Sequence, residues 1–173
     1  MDELNGERIR LRPVTVEHVD RLTEILTAPE VAQWWGAYDR ARVEREFLAE
    51  DEHWLVIERE GAVVGTIGYW EEDDPQYRHA GIDITLHPDW IGQGLGREAI
   101  TTLARWLFDE RGHHRLTIDP AAANARAIRC YERVGFRPVG VMRRYGRTRE
   151  GTWRDGLLMD LLPEDLGGTG RRV

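Results

Sequence analysis

Apolar and polar residues alternate with a period of two through Gly81–His87. Ile82, Ile84 and Leu86 fall on one face and Asp83, Thr85 and His87 on the other, which predicts a strand with one buried side. Two further apolar runs, His53 to Arg59 and Val63 to Trp70, flank Glu60–Gly61 and predict a hairpin. Ile9, Leu11 and Val14 predict a first strand that Pro13 ends, and Arg115–Asp119 a short strand closed by Pro120. Arg137–Tyr145 and Thr152–Leu162 predict a final pair joined by a basic loop. Helical spacing appears four times. Val19, Leu22, Ile25 and Leu26 follow a Thr15 N-cap. Val43, Phe47 and Leu48 lie within a charged Asp39–Asp51 helix. Ala99, Ile100, Leu103, Trp106 and Leu107 precede a stop at Gly112, and Asn124 to Val134 precede a stop at Gly135. Pro29 and Gly36 read as breakers around Trp34 and Trp35. This order implies a mixed α/β (α+β) fold: a central, mostly antiparallel sheet with a small parallel part, flanked by about four helices. Residues 1–166 are expected to form one domain and 167–173 a disordered tail.

Composition narrows the setting. A chain of 173 residues buries a sizeable core without metal or disulfide staples. One cysteine, Cys130, excludes a disulfide framework and fits a reducing compartment. No apolar run is long enough to span a bilayer, and MDELNGERIRLR has no signal-peptide core, so a cytoplasmic protein without a membrane partner is expected. A net charge of −7 argues against nucleic-acid binding and suits a cationic ligand. His79, His87, His113 and His114 lack metal-ligand spacing, so no metal is expected. A monomer or a homodimer both fit.

The strand at Gly81 runs into a glycine turn, Gly92, Gly94 and Gly96, and then into a helix expected from about Arg97. Glycines at a helix N-terminus let a phosphate approach backbone N–H groups. Gly94 to Ala99, GLGREA, matches the dinucleotide pattern G-x-G-x-x-G/A, with Asp119 ending the next strand. The rest of the chain opposes that cofactor. About 54 residues remain after Asp119, too few for further parallel units. The connection His87–Gly92 is too long for the tight first turn, and an antiparallel hairpin precedes the strand. No G-K-[ST] follows the glycines, which excludes a P-loop.

QGLG, a helix, and then N-x-R-A-I-x-x-Y-x-x-x-G-F from Asn124 to Phe136 resemble the GCN5-related N-acetyltransferase (GNAT) superfamily, and the resemblance covers almost the whole chain. VAQWWG, GID, GQGLG and TIDP-x-x-x-N-x-RAIRCYE-x-x-GF are similar to its aminoglycoside 6′-N-acetyltransferases. Ile91 departs from the superfamily, where Arg or Gln opens the loop, and GRTREGTWRDGLLMD departs from the subgroup. The resemblance implies acetyl-CoA as cosubstrate. It would lie against Leu86, His87, Gln93, Gly94, Leu95, Gly96, Arg97, Asn124 and Ala127, its arm paired with a strand that splays from its parallel neighbour. It also implies Tyr131 as the acid that protonates the leaving thiolate, and Trp34 and Trp35 as walls of a sugar site.

Acetyl transfer to an amine needs a base, because an ammonium must lose a proton before it attacks. Asp83 is the candidate, mid-strand on the face opposite Ile82 and Ile84. Asp119 is assigned to a substrate ammonium, with a possible share in the base role. Trp70 is placed at the acceptor site, and Glu71–Asp74 reads either as a solvated loop or as an acidic lip for a cation. Cys130, one residue from Tyr131, is expected to point elsewhere. The leading expectation is an aminoglycoside N-acetyltransferase acting by direct transfer in a ternary complex. The alternatives are another acceptor (a protein N-terminus, a polyamine or a siderophore precursor), suggested by Arg143, Arg144, Arg147 and Arg149, and a non-catalytic acyl-CoA-binding module.

Overall fold

The computed structural model describes residues 3–167. In chain order the elements are β1 (Leu4–Asn5), β2 (Arg10–Pro13), α1 (Val19–Thr27), α2 (Pro29–Trp35), α3 (Arg40–Phe47), β3 (His53–Arg59), β4 (Ala62–Glu72) and β5 (His79–Leu86). They continue with α4 (Leu95–Asp109), β6 (Leu116–Ile118), α5 (Ala125–Val134), β7 (Arg137–Arg147) and β8 (Trp153–Leu161). The strands form one sheet in the order β1-β2-β3-β4-β5-β6-β8-β7. Every neighbouring pair is antiparallel except β5 and β6. This is the mixed, mostly antiparallel architecture that the periodicities imply. Of the expected tail, only Gly167 is among the described residues.

Alternation along the strands sorts side chains into two cores. Leu55 and Ile57 of β3, with Ile67 and Ile82, pack against Leu95, Ile100, Leu103 and Leu107 of α4 and Tyr131 and Val134 of α5. Val56, between Leu55 and Ile57, faces the other way into Val19, Leu22, Ile25 and Leu26 of α1, Val31 of α2, and Val43 and Phe47 of α3. Full burial of Ile100, Leu103 and Leu107 is worth about 1.5–3 kcal/mol each, which holds α4 against the sheet.

Several elements differ from expectation. β1 is two residues long, too short to leave a pattern. Pro29 opens α2 instead of breaking the chain, because the first helical turn has no use for the N–H that proline lacks. α3 ends at Phe47, short of the expected Asp51, and Asp39 caps its start by accepting from the Arg42 N–H at 2.7 Å. α4 begins at Leu95, so Gly96 lies in its first turn. The β3–β4 turn forms as expected: Glu60 and Gly61 both have positive φ, 51° and 81°, the pair a two-residue hairpin turn of type I′ demands.

One feature of the sheet creates the site. β5 and β6 pair only at Ala80–Leu116 and Gly81–Thr117. β5 then stays with β4 as far as Gly65–Leu86, while β6 stays with β8, Ile118 opposite Met159. From Asp83 to Leu86 one edge of β5 therefore has no strand beside it.

Candidate active site

A cavity of about 790 Å³ occupies this gap between β5 and β6. At one end it meets the glycine turn. Gly92 and Gly94 have φ of 83° and 82°, a region in which side-chain-bearing residues are strained. A Cβ on Gly92 would meet nothing within 4 Å, and one on Gly96 would reach only Leu86 and Cys130. No side chain caps α4, so the N–H groups of Leu95, Gly96 and Arg97 have no partner within the helix. Arg97 of α4 and Arg126, Arg129 and Arg133 of α5 line the same cavity. Free N–H groups, a helix dipole, open glycines and four arginines suit a pyrophosphate, so the residues present fit acetyl-CoA.

Six of the nine residues expected to hold the cosubstrate line the cavity: Leu86, Gly94, Gly96, Arg97, Asn124 and Ala127. Asn124 also caps α5, its Oδ1 accepting from the Ala127 N–H at 3.2 Å. The side chains of the other three have different work. Leu95 is fully buried in the core, which leaves only its backbone for a ligand. His87 Nδ1 accepts from the Asp89 N–H at 3.2 Å. Gln93 braces the turn, donating to the Asp89 carbonyl at 3.0 Å and accepting from Arg59 Nη1 at 3.0 Å. The α5 arginines escaped sequence reading, although their spacing is that of one helical face.

At the other end the cavity reaches the α1–α3 face of the sheet. Asp83 pairs with Gly68, where the missing side chain makes room for the Trp54 indole. Trp34, Trp35, Tyr38 and Trp54 wall this end, with Trp35 and Trp54 5.8 Å apart between ring centres. Trp34 and Trp35 both reach the cavity; Trp35 also joins the α1–α3 core. Asp119, Tyr131 and Tyr145 also line the cavity. Asp83 accepts no hydrogen bond from any described residue. Asp83 is an exposed residue because its carboxyl opens onto the cavity, yet enough protein surrounds the carboxyl to desolvate it. That desolvation, helped by the charges of Asp119 and Glu52, pushes its pKa up to about 6. Burial also raises the Asp119 carboxyl, against the pull of a hydrogen bond from Tyr145 Oη at 2.6 Å. Tyr131 is 8 % exposed, and burial drives its pKa far upward, so it keeps its proton.

Other expectations are corrected. Trp70 does not line the cavity: its ring covers Gly81, where a Cβ would fall 2.1 Å from the indole, and meets His79 edge-on at 5.1 Å. It lies two residues beyond Gly68 on β4, past the cavity's end. The acidic run is not a uniform lip. Glu71 belongs to β4 and is held by Arg111 at 2.9 Å and by the buried His113 at 2.6 Å. Cys130 does not point away; it lines the cofactor end near Gly96. Arg143, Arg144, Arg147 and Arg149 do not line the cavity. Arg154 does, and it donates to the carbonyls of Gln33, at 2.7 Å, and Trp34.

Residues 8–137 match the acetyltransferase (GNAT) domain family. The chain is 29 % identical over 159 residues to the aminoglycoside N(6′)-acetyltransferase type 1 of Klebsiella pneumoniae, covering 80 % of this chain and 78 % of that protein. It is 28 % identical over 137 residues to a Bacillus subtilis (strain 168) protein named as a putative [ribosomal protein bS18]-alanine N-acetyltransferase, covering 78 % and 85 %. Among solved structures, the aminoglycoside acetyltransferase AAC(6′)-Ib in complex with coenzyme A superposes with a TM-score of 0.74 at 25 % identity, over 91 % of this chain and 96 % of that one. With a phosphate cradle, an unpaired β5 edge and an acid–tyrosine pair in one cavity, the chain belongs to the GNAT acetyltransferases and uses acetyl-CoA as its cosubstrate.

Proposed function

We propose that this enzyme acetylates a primary amine of an aminoglycoside, the 6′-amine foremost. The observation that carries this reading is the separation of charge along the cavity. The charges of Arg97 and Arg133 act on Cys130, which lies beside Gly96 of the glycine turn, whereas those of Asp83 and Asp119 act on each other and on Tyr145 among the tryptophan and tyrosine rings of the lining. Aromatic faces suit sugar rings and ammonium groups, and carboxylates suit a polycation. Arg154, the arginine at this end, is turned onto the α2 carbonyls and leaves the carboxylates unopposed. The likeness to the Klebsiella pneumoniae enzyme supports the same acceptor.

Acetyl-CoA supplies an activated acetyl thioester. Backbone N–H groups of Leu95, Gly96 and Arg97 bind its phosphates, and the free edge of β5 from Asp83 to Leu86 orients its arm. Asp83 takes the proton from the acceptor ammonium, directly or through water; a base near pH 6 is charged at neutral pH and still basic enough to be useful. Asp119 binds a second ammonium. Tyr131 holds its Oη proton ready for the departing sulfur. Thiol release measured across aminoglycosides, polyamines and peptide N-termini, with NMR of the products, tests the reading. Turnover of aminoglycosides with acetyl on the 6′-amine is expected, and no turnover with any of them refutes it. The likeness to the Bacillus subtilis relative favours a peptide α-amine as the second reading, which turnover confined to the peptide arm would select.

A further inference from the structure

We propose that Tyr145 is a positioning residue for acetyl transfer: a bulge in β7 lays its ring across β8, and its hydroxyl holds the Asp119 carboxylate toward the acceptor. The inference rests on the reading of Asp119 as the anchor for a second substrate ammonium. Tyr145 Oη donates to Asp119 Oδ2 at 2.6 Å, between residues 26 apart in sequence.

A bulge, a strained residue within it and a glycine on the facing strand accompany that contact. The β7–β8 register slips between Met142 and Gly146, and a bulge re-aims the side chains within it. Inside the slip Arg144, which is not a glycine, sits at φ 52°; its N–H donates to Asp155 Oδ1 at 2.8 Å, which offsets part of the strain. Beneath the ring lies Gly156, where a Cβ would stand 2.8 Å from Tyr145 Cδ1 and 3.2 Å from Met142 Cε. Core packing does not explain the arrangement, because Tyr145 remains 51 % exposed. What the bulge, the strained residue and the missing side chain have in common is the reach of one hydroxyl to Asp119.

The chemical consequence is a division of labour between two carboxylates. A neutral phenol satisfies Oδ2 of Asp119 without cancelling its charge, which leaves Oδ1 for an ammonium. Asp83, with no such donor, stays free to take a proton. The hydrogen bond to Asp119 pushes the Tyr145 pKa up to about 12, so the phenol remains a donor throughout the working range. The titratable and charged groups that line the cavity around Asp119 are Glu30, Tyr38, Asp83, Arg126, Tyr131, Tyr145, Arg154 and Asp155.

The test compares wild type, Tyr145→Phe, Asp119→Asn and the double variant on two acceptors: a deoxystreptamine aminoglycoside with several amines and a 6-amino-6-deoxyhexose with one. Tyr145→Phe is expected to raise KM for the aminoglycoside about tenfold, the size of effect given by a lost hydrogen bond to a charged group. It should leave kcat within about twofold and KM for acetyl-CoA and the single-amine sugar unchanged. Adding it to Asp119→Asn should cost nothing further, and losses that multiply would overturn the proposal. A second readout needs no acceptor: carboxyl ¹³C NMR should show Asp119 titrating at higher pH in Tyr145→Phe. An unmoved titration overturns the proposal even if wild type acetylates no aminoglycoside, a result that by itself refutes only the acceptor. Gly156→Ala, which drives the ring off its seat, should reproduce the Tyr145→Phe titration in a folded protein.

Discussion

Replacing Asp83 by asparagine removes a charge that the fold accommodates badly, so the variant should be more stable and nearly inactive at once. The carboxyl's pKa rises from 3.8 to about 6, roughly two units, and each unit corresponds to about 1.4 kcal/mol, or about 3 kcal/mol in a dry site. Because the carboxyl opens onto the cavity, solvent screens it, and about 1 kcal/mol is the better expectation. Between pH 3.8 and about 6 the folded protein holds a proton that the unfolded chain has released, so wild type loses stability as pH rises through that window. Asparagine does not titrate. The variant's advantage should therefore be near zero at about pH 4, grow to about pH 6 and stay level above it. Scanning calorimetry of both proteins from about pH 4 to 8 reads this as a Tm gain of about 2–4 °C at the alkaline end. Acetyl transfer at about pH 8 should fall by about 10²–10⁴-fold, the range for loss of a general base. A stability difference that does not change with pH, or a destabilised variant at about pH 8, would refute the account of Asp83 as a carboxylate strained by desolvation.

In wild type, kcat/KM should climb with pH through about 6 as Asp83 ionises, and a profile flat across that region would remove it as the base. Tyr131→Phe should lower kcat about 10²-fold in a thiol-release assay while KM for acetyl-CoA moves less than about twofold, because the lost proton is needed only as the sulfur leaves. Gly135→Ala tests the joint after α5. At φ 126°, with a new Cβ 2.1 Å from the Asp165 carbonyl, it should destabilise by about 2 kcal/mol or more, seen as a Tm fall of at least about 4 °C.

Much of the cofactor end was legible because its determinants lie close together in the chain. The two-residue alternation through Ile82, Ile84 and Leu86 put Asp83 on the opposite face, and glycines at 92, 94 and 96 announced a turn open to a phosphate. The spacing from Asn124 to Phe136 marked the helix that carries Tyr131. Where reading failed, local cues competed. Pro29 reads as a breaker yet serves as a first helical residue, and Glu71 looks like part of a solvated acidic run yet continues β4 into an ion pair with Arg111 and His113. In sequence Trp70 lies close before the strand that carries Asp83, which points to a place at the acceptor site. Strand pairing instead sets it over Gly81, beyond the cavity.

The sequence by itself determined most of the strands and helices, the side of β5 on which Asp83 stands and the open glycine turn before α4, since each follows from periodicity or from the conformational needs of a few neighbouring residues, whereas β1 and α2 do not. Only tertiary structure decided how the acceptor end is built. The parting of β5 from β6 after two residue pairs, the turn of Arg154 onto the α2 carbonyls and the reach of Tyr145 to Asp119 join segments 26 to 121 residues apart. Contacts of that kind arise from how strands register and helices pack, and no short window of residues encodes them.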